Sequence, residues 1–393
     1  MSGQRQTYSI EEIKEMLVAR MGEFAYHYAP PAKGSYEDKG KYFTLNPGRA
    51  DKSVGSFCIH TSGRKAGKWE DFATGQHGDV FDLIGLRLGL ANMVDQLREA
   101  RHFLGLATDS PAEARQREVA LAAARARRAE AEAAARRDQD RASRRAEAMW
   151  LSAEPKIAGT PVDYYLKGRG IDLATIGHQP RALRYMAKCR YSFEDKTTGE
   201  VIEFDAPAML AAMTNLQGRI VAVHRTWLRI DPDTGRWTKI RVPHPSAEGQ
   251  VLPAKKVYAW GDGCAIRLSS GLGPKGGKGA PLNRCPPGTR VYIAEGIETA
   301  LSARILRPDA RVLAAYSLSN MGKVGLPPEV SEVVLITDHD LGDQAQEQLA
   351  EAIRQHQAKG RTVRVWRSDR PGEDLNDALM RAQAEEQQQE GAA

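Results

Sequence analysis

Hydrophobic and polar positions change period several times along the chain, and each change marks an element. Ile10, Ile13 and Leu17 recur at helical spacing behind Ser9 and Glu12, which form a capping box, so a helix is predicted over 9–20. Residues 42–75 are β-leaning and punctuated by glycine, ending in "GKWEDFATGQHGD", and two short helices are predicted at 79–90 and 93–105. Residues 111–150 hold 15 Ala and 10 Arg in 40 positions with acids interspersed, a composition that favours helix. Large apolar residues do not repeat in heptads there, so a solvated linker helix is expected rather than a strong coiled coil. Its arginines could also touch a phosphate backbone.

From about 160 the pattern turns globular again. "TPVDYYLKGRG" reads as a helix closing on Gly168 and Gly170. "APAMLAAMTNLQGRIVAVHRTWLRIDPDTGRWTKIRV" reads as an antiparallel meander with turns at "NLQG" and "DPDTG". "GLGPKGGKGAPLNRCPPG" is expected to be a flexible loop. It is no P-loop, because the spacing is wrong and Gly279 stands where Ser or Thr would hold magnesium. Residues 289–382 alternate four strands with helices, which predicts a parallel sheet with helices on its faces. The end, "AQAEEQQQEGAA", is expected to fray.

Bulk properties narrow the class only a little. The chain has 393 residues, 41% apolar and 27% charged, with net charge +6, which permits a polyanionic partner without requiring one. Cys58, Cys189, Cys264 and Cys285 lie far apart with no disulfide-like spacing. The polar N-terminus and the absence of a long apolar run argue against export or a membrane partner, so a reduced, cytoplasmic protein is expected.

The chemistry gathers at strand ends. Glu295 closes the first strand of the alternating region, with Glu298 one turn on; Asp338 and Asp340 close the third. "RPGEDLNDAL" brings Asp374, Asn376 and Asp377 after the fourth. A parallel sheet puts these ends on one edge, where function sits in such folds. Oxygen ligands in this number suit Mg²⁺ or Mn²⁺ and phosphoryl transfer. Glu298 and Asp343 also suit helix starts, and Asp374 a helix cap.

"AEGIETALS", "LITDHDLGDQA" and "GEDLNDAL", in this order and spacing, resemble the Toprim domain of bacterial primases, topoisomerases and some nucleases. The resemblance implies that Glu295, Asp338 and Asp340 are catalytic and hold metal, with Asp374 a further ligand. Glu298, Asp343, Asn376 and Asp377 stand as supporting positions, Asn376 departing from the acid of bacterial primases. "DYYLKGRGIDLATIGHQPRALRY" and "PAMLAAMTNLQGRIVAVHRTWL" are similar to the start of the bacterial primase core. That similarity implies that Arg169, Arg225 and Lys256 contact template or nucleotide phosphates.

Residues 48–90 resemble the primase zinc-binding domain in apolar skeleton only. "NPGR" takes the place of the first ligand pair, and the second pair falls within "WEDFATGQHGD". Cys58 and His60 lack a matching pair, which argues against a structural zinc. Trp69 and Phe72 are expected to fill the interior instead. Arg64, Lys65 and Lys68 could touch template.

The fold expected is therefore α/β and α+β: a zinc-domain-like region without ligands at 1–108, a helical linker at 109–155, a primase-core subdomain with antiparallel β at 156–285, a Toprim domain at 286–383 and a disordered tail at 384–393. The function implied is a DNA primase of a phage, plasmid or other mobile element. It would use single-stranded DNA, ribonucleoside triphosphates and a partner replicative helicase. A Toprim nuclease and a non-catalytic DNA-binding replication accessory protein are the alternatives.

Overall fold

The computed structural model describes residues 8–391 apart from 50, 52, 107–110, 196, 274 and 276, so the expected junction at 108/109 lies outside the described residues. It divides into two units, Met1–Arg136 and Arg137–Ala393.

The first unit opens with α1 (Ile10–Ala19), whose Ser9–Glu12 capping box forms as the spacing predicts, and α2 (Met21–Tyr28). Five strands follow: β1 (Tyr36–Asp38), β2 (Lys41–Thr44), β3 (Phe57–His60), β4 (Trp69–Asp71) and β5 (Gln76–Gly78). They pair antiparallel in chain order. Helices α3 (Val80–Leu88) and α4 (Met93–Phe103) complete the unit; Asp79 caps α3 with Asp82, and Gly89 ends it in the left-handed conformation at φ 72°. Phe57, Ile59 and Trp69 pack on Ile13, Leu17, Phe24 and Ile84. Strand alternation sends Phe72 the other way: with Trp69 and Asp71 buried, Phe72 is 62% exposed and fills no core, contrary to expectation.

Helix α5 (Pro111–Ser152) runs into the second unit. There α6 (Pro161–Gly168) and α7 (Leu173–Ile176) precede β6 (Leu183–Glu194), β7 (Val201–Thr214), β8 (Ile220–Ile230), β9 (Trp237–Lys239), β10 (Lys255–Tyr258) and β11 (Ala265–Arg267). The alternating region supplies β12 (Thr289–Ala294), α8 (Ile297–Leu306), β13 (Val312–Ala314), α9 (Leu318–Met321), β14 (Val330–Ile336), α10 (Asp343–Gln357), β15 (Thr362–Trp366) and α11 (Leu375–Gly391). Helix α11 continues to Gly391, through most of the segment expected to be a tail, because Ala, Glu and Gln are good helix formers.

These strands form one ten-stranded sheet in the order β10-β8-β7-β11-β13-β12-β14-β15, with β6 on β7 and β9 on β8. The four strands β13, β12, β14 and β15 are parallel; the others are antiparallel, and β11 joins the halves by pairing with both β7 and β13. Ala222 and Leu228 of β8 share one core with Ala300 and Leu301 of α8, whereas Val223 and Trp227 belong to a second core with Ala146 of α5 and Tyr191 of β6. Side chains on β8 and β10 therefore choose between two faces, and only one of these carries α8.

Candidate active site

Parallel pairing aligns Ala294, Ala314 and Ile336, so the chain leaves β12 at Glu295 and leaves β14 toward Asp338 on one edge. The two side chains interact. Burial pushes the Glu295 carboxyl above its usual range, Lys255 pulls it down, and Asp338 pushes it up. Asp338 is likewise raised, first by burial and then by Asp374 and Asp377, with Lys255 again opposing. Three loop acids, Asp377 in the first turn of α11 and one lysine thus share a local field, a grouping of mutually perturbing charges of the kind that marks functional sites.

Asp340 stands apart from this group. Its Oδ2 accepts the Gly372 amide at 2.6 Å, its Oδ1 lies 3.1 Å from His339 Nδ1, and these bonds hold it below the usual range. It borders a groove of about 610 Å³ with His339 and Arg367. Asp374 and Asp377 exchange backbone bonds of 2.8 and 3.2 Å, so Asp374 caps α11 while also acting on Asp338. Asp343 occupies the first turn of α10, where an acid suits the helix dipole.

Two supporting positions are tied into the interior. Glu298 is 7% exposed and accepts from Tyr165 Oη at 2.6 Å and Lys239 Nζ at 2.9 Å. Burial pushes its pKa up, but Lys239 and Tyr165 outweigh that and bring it to about 2. His224, buried on the same side, is held neutral at about 4, chiefly by burial. Asn376 is fully buried, and its Nδ2 donates to Arg169 O at 2.7 Å and Ser302 Oγ at 2.9 Å, tying α11 to α6 and α8.

The cations sort by face. Lys255 and Thr226 are paired on β10 and β8, as are Lys256 and Arg225 one residue on, so the two lysines point oppositely. Lys255 acts on the acids; Lys256 donates to Ser192 O at 2.6 Å and sits 4.0 Å from the Tyr191 ring centroid. Arg225 stacks 4.8 Å from Trp227 on that same face. Arg169 lies 3.8 Å from Asp374. The doublet "KK" was visible in sequence, but which lysine meets the acids depends on strand register.

In the first unit, the "NPGR" and "WEDFATGQHGD" segments are joined by direct side-chain contacts. Asn46 Nδ2 donates to Asp71 Oδ2 at 2.6 Å, and Arg49 Nη2 lies 3.3 Å from the same carboxylate. An amide and a guanidinium do not suit zinc, so a zinc at this position does not fit. A different cluster does gather: ligand atoms of Cys58, His60 and Glu70 all lie within 4.8 Å of one another, and the buried His60 Nε2 has no hydrogen-bond partner. This grouping can coordinate a metal ion. Glu70 enters because antiparallel register sets it opposite Cys58, which sequence reasoning did not foresee. Lys65 and Lys68 pair with Glu70 and Asp79 at 3.2 and 3.9 Å.

Comparison with known proteins bears on the second unit. Residues 290–385 match the Toprim domain family, and residues 140–268 match a domain of unknown function (DUF7146). No curated protein matches the chain. Among solved structures, it is similar to a DNA primase domain from Pseudomonas aeruginosa, at 17% identity over 61% of this chain and 74% of that one, TM-score 0.34. It is also similar to the E. coli primase catalytic core, at 12% identity over 60% and 73%, TM-score 0.35. The primase fragment of the bacteriophage T7 primase-helicase protein gives 13% identity over 58% and 73%, TM-score 0.31. The family match over 290–385 makes the C-terminal part of the chain a Toprim-like α/β domain, and the first unit is a smaller antiparallel β/α domain. No helix among the described residues is long and apolar enough to cross a membrane.

Proposed function

We propose that this chain is a Toprim-type nucleotidyltransferase that makes short RNA primers on single-stranded DNA for a phage, plasmid or other mobile element. The observation that carries the reading is the coupling of Glu295 to Asp338 at the carboxyl edge of the parallel sheet, where both carboxyls are raised. Repulsion between like charges is relieved by a cation, and an all-oxygen set suits Mg²⁺ or Mn²⁺ over softer ions.

Glu295 and Asp338 would hold such an ion, with Asp374 beside them. When bound, a divalent ion screens phosphate charge and lowers the barrier to attack by a hydroxyl. Lys255 supplies a fixed positive charge near both acids and would orient a triphosphate against them. Asp340, bonded to Gly372, fixes the loop after β15 against the loop after β14 and contributes as a positioning group. Arg169 would meet the template backbone near Asp374. Arg225 and Lys256 lie on the opposite face, held over the buried rings of Trp227 and Tyr191, and would meet the phosphates of a single strand. A replicative helicase would supply unwinding.

The test is primer synthesis on single-stranded DNA with ribonucleoside triphosphates and Mg²⁺ or Mn²⁺, with and without the helicase of the same replicon. Primers from the wild type and none from Asp338→Ala support the reading. DNA cutting without nucleotides points to a nuclease instead. An Asp338→Ala chain that still supports replication points to a non-catalytic accessory protein.

A further inference from the structure

A second, cationic cavity lies at the opposite edge of the parallel strands from the acids. Arg311 immediately precedes β13 and Arg267 ends β11, its antiparallel neighbour, so both border the sheet where its parallel strands begin. With His178, Arg181, Ser269 and Lys278 they line a cavity of about 220 Å³ whose wall contains no carboxylate. Arg304 lies behind it, donating from Nε to Ser269 Oγ at 3.0 Å.

Three of these guanidiniums are costly where they stand. Arg311 is 7% exposed and Arg304 6%. Among the described residues, none of Arg181, Arg267, Lys278, Arg304 and Arg311 belongs to an ion pair within 4.0 Å, although Arg304 feels the exposed Asp309. Burial lowers Arg311, and both burial and Arg311 lower Arg267. Arg267 is nonetheless pinned, donating from Nη2 to Asn215 O at 2.6 Å and Leu216 O at 3.1 Å. The covering loop is held as tightly. Gly279 N donates to Gly271 O at 2.9 Å, and a Cβ on Gly279 would come within 2.3 Å of Ser270 O. Buried cations need a counter-charge, and planar guanidiniums match phosphate oxygens in pairs.

We propose that this cavity is a phosphate-binding site for a phosphate or pyrophosphate group, separate from the acidic edge. It is smaller than the roughly 300–1,000 Å³ of pockets that enclose drug-sized ligands, so it takes the phosphates and not a whole nucleotide. The group comes either from a free small anion or from the phosphorylated end of a strand. The site is independent of the primase reading, because it uses none of the acids.

The test is calorimetric titration of the full chain with inorganic pyrophosphate in low salt and EDTA, which silences any metal-dependent binding at the acids. Saturable binding is expected, weakened at least ~10-fold by Arg311→Gln and unchanged by Asp338→Ala, with pyrophosphate raising the melting temperature of the wild type. If Arg311→Gln fails to fold, Arg181→Gln at the exposed rim should weaken binding by a smaller factor. Competition with 5′-phosphorylated and dephosphorylated oligonucleotides separates the sources: displacement by the phosphorylated strand alone assigns the strand end, and displacement by neither assigns the free anion. No binding at millimolar pyrophosphate, binding that Arg311→Gln and Arg181→Gln both leave intact, or binding lost in Asp338→Ala overturns the proposal.

Discussion

Lys239 Nζ lies 2.9 Å from Glu298 Oε1, and this contact removes Glu298 from the acidic edge and makes it part of the interior. With Tyr165 on the same oxygen, α6, β9 and α8 are fastened at one point. Glu298→Gln leaves the half-buried Lys239 without its counter-charge and should cost about 1–3 kcal/mol, read by chemical denaturation. The wild-type pair also sets an acid limit. Because the folded carboxyl is depressed from 4.5 to about 2, its stabilisation is complete above pH 4.5 and disappears as pH falls toward 2. The Gln variant should lack that part of the acid slope.

Asp338→Asn and Glu295→Gln are expected to separate activity from stability. Both carboxyls are raised in the fold, so their charged forms oppose folding at neutral pH, and neutralising either relieves repulsion. Melting temperature should hold or rise while primer synthesis falls on the order of 100- to 1,000-fold, as when a preorganised electrostatic group is lost. A fall in both would mean that these acids serve the fold.

Lys255→Ala and Lys256→Ala should differ in kind. Loss of Lys255 removes a charge that lowers both Glu295 and Asp338, so the acid limb of the pH–activity profile should move to higher pH. Loss of Lys256 removes the contact with Tyr191, costing about 0.5–2 kcal/mol and weakening single-strand binding without moving that limb. Profiles measured side by side decide it.

Asn376→Asp tests whether the departure from the primase pattern is tolerated for packing reasons. The amide donates to Arg169 O and Ser302 Oγ; a carboxylate there faces a carbonyl oxygen inside the protein. Destabilisation of about 3–5 kcal/mol is expected, with no gain in metal affinity by titration of Mn²⁺.

Asp71→Ala should loosen the first unit by about 1–3 kcal/mol, because it strands the buried Asn46 donor and removes one of the two carboxylates beside Arg49. Amide exchange at 46–51 should quicken in the variant, and EDTA should leave it unchanged in the wild type.

What could be read from sequence was whatever depends on local order. The Ser9 cap, the Ala/Arg helix and the acids abutting apolar strands each carry their signal within a few residues. What could not be read depends on register. Strand β6 carries no clear alternation, because a bulge between Met186 and Cys189 interrupts it. Glu70 meets Cys58, and Asn46 meets Asp71, only once β3 and β4 have paired and the turn before them has closed. That Lys255 and not Lys256 faces the acids is likewise a matter of register, because a four-residue strand has no amphipathic pattern from which to choose a face.

The short strand β11 has a practical consequence for anyone dissecting this chain. It falls within the 140–268 match yet bonds to β13 inside the 290–385 match. Cutting between 268 and 290 would leave each fragment with a raw row of backbone amides and carbonyls, the kind of template on which strands from other molecules stick. Fragments split there should precipitate when made separately and become soluble when the two halves are produced together.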